Sequence, residues 1–182
     1  GFASNVNIKH NEIVDAPYSA ISLGWRWIST QNIMHDNHIE YNHINGFSVH
    51  MRDCGGIYTL SPQPNSSING NYIEKPGDPE FCPLMWDMKS AQFDIYTDEG
   101  TDYYTVSDNW CSGNISKNKN GGHNTWGENS MNVSDAIREN AGLEEAYKEI
   151  VNKVTEPTYA PVDSIGDKVN ANRDQIDYIS QN

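Results

Sequence analysis

The sequence predicts an all-β chain, a solenoid of stacked coils closed by a C-terminal helix. Three observations carry this. A short motif, aliphatic-x-x-Asn-x-aliphatic, recurs along the chain. A second strand pattern follows each of three copies of it. The composition favours strands, with 17 Ile and 9 Val against 4 Leu, and with 22 Asn and 14 Gly among 182 residues. β-branched residues suit strands, whereas a helical chain leans on Leu and Ala. Asn and Gly supply tight turns.

The motif copies are Ile8-Asn11-Ile13, Ile39-Asn42-Ile44, Ile68-Asn71-Ile73 and Val106-Asn109-Cys111, with a partial fifth at Ile115-Asn118. Copies 31, 29 and 38 residues apart fit coils that share a core and differ in one loop. The flanking aliphatic residues point inward, and the Asn residues stack in a hydrogen-bonded ladder. The second strand recurs as Ala20–Leu23, Gly56–Thr59 and Asp94–Thr97. Aligning Ile21, Ile57 and Ile95 puts Ser22, Tyr58 and Tyr96 at one outward position, because side chains alternate along a strand. The longest loop, Glu74 to Gln92, carries Pro76, Gly77, Pro79, Pro83 and Trp86, and a loop of that length is usually functional.

After Gly127 the pattern changes. Ser134 is placed to cap a helix beginning at Asp135, and Leu143, Tyr147, Ile150, Val151 and Val154 fall on one helical face. The predicted organisation is coils over residues 1–127, a helical cap over 128–154 and a polar tail over 155–182. Open solenoid ends need such a cover.

Charge and hydropathy exclude some functions. With 12 basic and 25 acidic residues the net charge is −13, and the pI is 4.6. That argues against nucleic acid, whose recognition relies on cationic side chains. Mean hydropathy is −0.72, and no apolar run approaches the roughly 18 residues of a membrane span. The first residues show neither the basic nor the apolar region of a signal peptide. Cys54, Cys82 and Cys111 form no C-x-x-C pair, so they give at most one disulfide, or three small buried hydrophobes. His35, His38, His43 and His50 lack metal-site spacing, and alternation turns His38 and His43 outward. Asp98-x-x-x-Asp102 does not match a calcium loop, so no metal or cofactor is expected.

Four stretches carry a family resemblance: Asp15 to Trp27, Asp53 to Pro64, Ile95 to Gly100 and Asn140 to Tyr147. In that order residues 1–153 resemble the C-terminal half of large bacterial right-handed parallel β-helix proteins. Many of those are carbohydrate-active, including a fucosidase/xylanase-type glycoside hydrolase family. The resemblance implies right-handed winding, a glycan substrate, and secretion to the periplasm or cell surface. It also implies that this chain is part of a longer solenoid, partnered by upstream coils of the same parent or by a second copy. Cys54 stands where the family usually has Gly.

Glycoside hydrolysis needs two carboxyl groups on one bond. By resemblance the candidates are Asp53 in the Asp-x-Gly-Gly turn, and Asp98 and Glu99 in the Thr-Asp-Glu-Gly turn. Asp53 precedes its strand and Asp98 follows its own, so they converge only if Gly55-Gly56 bends the chain back. Asp94 lies nearer in register as a substitute partner. For each acid the alternative is a carboxylate that merely holds a turn. Trp25, Trp27, Tyr58 and Trp86 offer rings for sugar faces, with Arg52 beside Asp53. Two other readings remain: a polysaccharide lyase, for which Arg52 is the basic residue nearest the turn, and a non-catalytic glycan-binding or adhesive solenoid.

Overall fold

A computed structural model of the chain describes residues 1–77 and 91–153. Each coil visits three parallel sheets in the same order. The first coil contributes β1 (Asn7–Lys9), β2 (Glu12–Val14) and β3 (Ile21–Leu23). The second contributes β4 (His38–Glu40), β5 (His43–Phe47) and β6 (Cys54–Thr59). The third contributes β7 (Pro62–Asn69), β8 (Tyr72–Pro76) and β9 (Gln92–Thr97). The fourth has β10 (Asp102–Ser107), a single bridge of Trp110 to Tyr72, and β11 (Ile115–Lys117). A fifth begins with β12 (Thr125–Trp126).

Stacking gives a five-stranded sheet β1-β4-β7-β10-β12, a three-stranded sheet β2-β5-β8 and a four-stranded sheet β3-β6-β9-β11. Parallel pairing throughout follows from the topology, since every strand returns to its sheet only after a full coil. The register follows the sequence alignment for the complete motif copies and the second strand pattern, whereas the partial fifth copy fails, since Ile115 pairs with Ile95 in the four-stranded sheet. Ile8 sits on Ile39, Ile39 on Ile68 and Ile68 on Val106. Ile13 pairs with Ile44 and Ile44 with Ile73, while Ile21 pairs with Ile57 and Ile57 with Ile95.

These aliphatic columns are the core. Ile39, Ile44, Ile57, Ile68, Ile95 and Val106 are fully buried, joined by Phe47 and Tyr104. Cys111 is a buried thiol in an aliphatic place; its burial, with Asp94 nearby, pushes its acidity down and its pKa up to about 12. Cys54 is also buried, and Cys82 lies outside the described residues. The Asn ladder runs along one corner. Asn11 donates to Asn42 Oδ1 at 2.7 Å, Asn42 to Asn71 at 2.9 Å, Asn71 to Asn109 at 2.8 Å and Asn109 to Asn129 at 2.6 Å. Each oxygen from Asn42 to Asn109 also takes the preceding Asn's backbone N–H, so the ladder satisfies polar groups at every turn. The fifth rung is Asn129, which follows Trp126, and Asn118 is elsewhere.

The segment after Gly127 differs from expectation. Helix α1 is short, Ala136–Asn140, begins after Asp135, and receives no side-chain cap bond. Ser134 Oγ instead accepts from the Ala136 N–H. The segment lies along the flank of the three-stranded sheet. Arg138 sits over the Trp110 ring at 4.7 Å and the Tyr72 ring at 5.4 Å. Gly142 donates its N–H to Tyr41 O, and its own carbonyl faces His10 Nδ1. It thus touches the fourth coil, the third, the second and the first in turn. His38 meets Ser67, and His43 lies between Glu12 at 2.7 Å and Glu74 at 3.1 Å, so both face outward.

Glu145–Lys153 forms a 3-10 helix where an α-helix was expected. Tyr147 and Ile150 are exposed. The chain divides into two compact units, Gly1–Ala146 and Tyr147–Asn182. The predicted polar tail lies outside the described residues. No helix among the described residues is long and apolar enough to cross a membrane.

Candidate active site

The outer face of the four-stranded sheet gathers the acids. Ser22, Tyr58, Tyr96 and Ser116 form one outward column, each paired with the next. The Tyr58 and Tyr96 rings meet edge to face, with centroids 5.2 Å apart. Asp98 follows β9 directly, and although it faces this side it is only 6% exposed. Its carboxylate is held by three donors from three other coils. Tyr58 Oη donates to Oδ2 at 2.6 Å, Trp27 Nε1 to Oδ2 at 3.2 Å, and Asn118 Nδ2 to Oδ1 at 2.6 Å.

Trp27 arrives from the loop after β3, and two contacts fix that loop. Ser61 Oγ contacts the carbonyls of Trp25 and Arg26 at 3.0 and 2.7 Å. Gly100, at φ +79°, lies so close to the loop that a Cβ there would stand 2.0 Å from Ile28 O. The Gly in the Thr-Asp-Glu-Gly turn therefore serves both the left-handed conformation and the approach of the tryptophan loop.

Asp53 reaches the same face from the preceding coil. The bend that brings it there is at Asp53 itself, whose φ is +60°. Asp tolerates this region better than most residues. Gly55 and Gly56, expected to make the bend, are buried within β6 and are not left-handed. They matter because nothing larger fits: a Cβ on Gly56 would lie 2.7 Å from Ile73 Cγ2, and one on Gly55 would lie 3.0 Å from Tyr96 Cβ. The N–H groups of Asp53 and Cys54 both point to Ala91 O, and the Tyr18 hydroxyl donates to Asp53 O at 2.6 Å.

Asp53 senses the charge of Asp98. Desolvation first, and then the charge of Asp98, raise the Asp53 carboxyl above the ordinary carboxylate range, while the Tyr96 hydroxyl pulls it partly back. Burial, followed by the charges of Asp98 and Asp53, raises the Tyr96 phenol. Burial and the bond to Asp98 raise Tyr58 likewise, so both phenols stay protonated donors at neutral pH.

The other predicted residues lie apart from this cluster. Asp94 is buried, and its Oδ2 accepts from Ser112 Oγ at 2.6 Å and from the Asn114 N–H at 3.1 Å, holding the turn before β11. Burial raises its carboxyl, and those bonds oppose the rise. Glu99 pairs with Lys119 at 2.5 Å on the surface. Asp102 takes the His123 backbone N–H at 2.8 Å and faces the His123 ring at 2.7 Å. Trp25 is exposed beside Trp27, Arg52 is half-buried next to Asp53 in the chain, and Trp86 lies outside the described residues. Among the described residues no group of His, Cys, Asp or Glu is arranged to hold a metal ion.

Sequence reasoning brought Asp53, Asp98, Tyr58 and Trp27 to this place and missed Asn118, Tyr96 and Tyr18. The outward column carried a signal for Tyr96. Asn118 was hidden by its likeness to a ladder residue.

No family profile matches the chain, and no curated protein matches it. A solved structure with the name "Glycoside hydrolase" is similar, with 41% sequence identity and a TM-score of 0.77. The match covers 82% of this chain and 24% of that one, so the chain spans about a quarter of the length of its solved neighbour.

Proposed function

We propose that the chain carries the catalytic face of a glycoside hydrolase acting on a plant or host polysaccharide or oligosaccharide. The observation that carries this reading is the coupled acid pair. Asp53 has a raised carboxyl, suited to protonate a leaving glycosidic oxygen. Asp98, on the next coil, is held by hydrogen bonds from Tyr58, Trp27 and Asn118. Its task is to activate water or to attack the anomeric carbon. Trp25 and Trp27, 48% and 66% exposed, offer rings to the apolar faces of a sugar at the lip of the site.

The similarity to a glycoside hydrolase supports the same reading, and it fits a secreted or periplasmic setting and a longer parental solenoid. Right-handed winding of the coils is supported by the strong chirality of connections between parallel strands. The helical segment after Gly127 is proposed to close the solenoid, in part by bracing its flank. A fucosidase/xylanase-type activity rests on the sequence resemblance. The raised Asp53 favours acid catalysis over a lyase, whose chemistry wants a deprotonated base.

The test is hydrolysis. The chain and any longer parent are assayed for reducing ends released from a panel of neutral and acidic glycans. Activity that drops about 10²-fold or more in both Asp53→Asn and Asp98→Asn supports the proposal. Full activity in both variants refutes the assignment, and binding without turnover selects a glycan-binding solenoid.

A further inference from the structure

One backbone position at the start of the five-stranded sheet is left-handed in four successive coils. Its occupants are Asn5, Asp36, Asn65 and Tyr103, with φ of +57°, +51°, +58° and +64°. Each stands three residues before a core aliphatic residue, and the pairing of Ile8, Ile39, Ile68 and Val106 stacks them in one column. The first three are Asn or Asp, the types that tolerate this conformation, whereas a bulky ring there is an outlier. Tyr41 is left-handed too, at +54°, but its ring packs so closely on Gly70 that a Cβ there would stand 2.6 Å from it. Tyr103 is 42% exposed, so burial offers its strained backbone little in return.

The surroundings hold Tyr103 in place on both sides. The Tyr104 N–H donates to Asn124 Oδ1 at 2.9 Å, and Asn124 Nδ2 donates to Thr101 O at 2.9 Å. Strain that its neighbours enforce clusters at ligand sites. The ring is also backed. His123 is its equivalent on the next coil, because Thr105 pairs with Thr125, and the two rings lie 5° from parallel with centroids 4.5 Å apart. The buried Asp102 carboxylate fixes the imidazole by taking the His123 N–H and facing ring Nδ1. The other face of Tyr103 turns away from His123, toward the third coil. There the equivalent residue is the short, exposed Asn65. A flat aromatic face above an amide suits a pyranose, whose C–H face stacks on the ring while its hydroxyls meet the amide.

We infer that Tyr103 and Asn65 form a sugar subsite distinct from Asp53 and Asp98, taking one neutral pyranose unit of a glycan. A net charge of −13 disfavours an anionic sugar. The Thr101 N–H bonds Asp98 O, and five residues place the Tyr103 Cα at most about 18 Å from that of Asp98, so one oligosaccharide spans both. The inference rests on the reading that the chain's ligand is a glycan, but not on hydrolysis. Its test is titration of the full chain with xylohexaose and with cellohexaose by calorimetry. Tyr103→Asn restores the residue type of the other coils. It binds the hexasaccharide that the parent binds about fivefold or more weakly, with a melting temperature no lower than the parent's. Tyr103→Phe keeps the ring and the affinity. Asn65→Tyr extends the stack over the free face and weakens binding as Tyr103→Asn does. Unchanged affinity in Tyr103→Asn overturns the inference. So does a lowered melting temperature in that variant, which would make the ring a packing residue, and so does binding of neither hexasaccharide by the parent. Binding that depends on Tyr103 with no glycan hydrolysed leaves the subsite standing and sinks the hydrolase reading. Hydrolysis with binding that ignores Tyr103 does the reverse.

Discussion

Replacing Asn71 with Leu tests what the ladder contributes to the fold. Asn71 is fully buried at the middle of the ladder, and its Oδ1 accepts both the backbone N–H and the side-chain amide of Asn42, at 3.0 and 2.9 Å. Its own amide donates to Asn109 Oδ1. Leu has the same branched arrangement of side-chain heavy atoms, though bulkier, and offers no polar atom, so the buried Asn42 N–H loses its acceptor. An orphaned buried donor costs about 1–3 kcal/mol, and each of the two side-chain bonds adds about 0.5–1.5 kcal/mol. The expected loss is about 2–6 kcal/mol. Asn11, at the exposed start of the ladder, donates to Asn42 Oδ1, and no other ladder Asn donates to it. Asn11→Leu strands no buried group and costs about 1 kcal/mol or less. Urea unfolding followed by far-UV circular dichroism reads both. With a slope near 2 kcal/mol per molar, Asn71→Leu lowers the midpoint by about 1–3 M and Asn11→Leu by under about 0.5 M. Equal shifts in the two variants would refute a ladder whose cost is set by burial.

Asp53→Asn separates stability from activity. The folded protein holds the Asp53 proton more tightly than the unfolded chain, so stability falls as pH rises from the ordinary Asp range through the raised value. The amide removes that loss: the variant unfolds at higher temperature than the parent at pH 7, with the difference shrinking toward pH 3, while the proposed hydrolysis is lost. A melting temperature lowered equally at both pH values would contradict the shift. Gly100→Ala forces a left-handed alanine against Ile28 O, costs about 1–2 kcal/mol, and weakens the Trp27 bond to Asp98. An unshifted Trp27 indole resonance would show that the turn does not seat that loop. Arg138→Ala removes two cation–π contacts worth about 0.5–1 kcal/mol each, and hydrogen exchange over residues 136–142 accelerates while the coils keep their protection. Unchanged exchange in that segment would show that Arg138 does not fasten it.

Strand register was legible in the sequence because a solenoid repeats one local rule. Ile21, Ile57 and Ile95 were aligned by pattern, and they pair in space because each coil must bury the same column. The ladder was legible for the same reason, as far as Asn109. Its fifth rung was not, because Asn118 and Asn129 each follow an apolar residue by three positions, and only the path of the chain decides which one meets Asn109. The acid pair was half legible. Asp53 and Asp98 were found by motif, but the bend lay in the backbone of Asp53 rather than in Gly55-Gly56, and φ is not written in residue identity. Glu99 and Asp94 were indistinguishable from them by type; a lysine one coil on claims the first, and the turn before β11 claims the second. The flank course of residues 136–142 depends on the Trp110 and Tyr72 rings, the Tyr41 carbonyl and the His10 ring nitrogen, groups of four coils that come together only after folding.

The shared site of Asp53 and Asp98 is tested most directly by carboxyl carbon NMR of Asp53 across pH 2–8 in the parent, in Asp98→Asn and in Glu99→Gln. Asp53 is predicted to titrate above the ordinary aspartate range in the parent, to fall toward it in Asp98→Asn, and to stay put in Glu99→Gln. An Asp53 midpoint that ignores Asp98, or follows Glu99 instead, would contradict the paired acids on which the proposed chemistry stands.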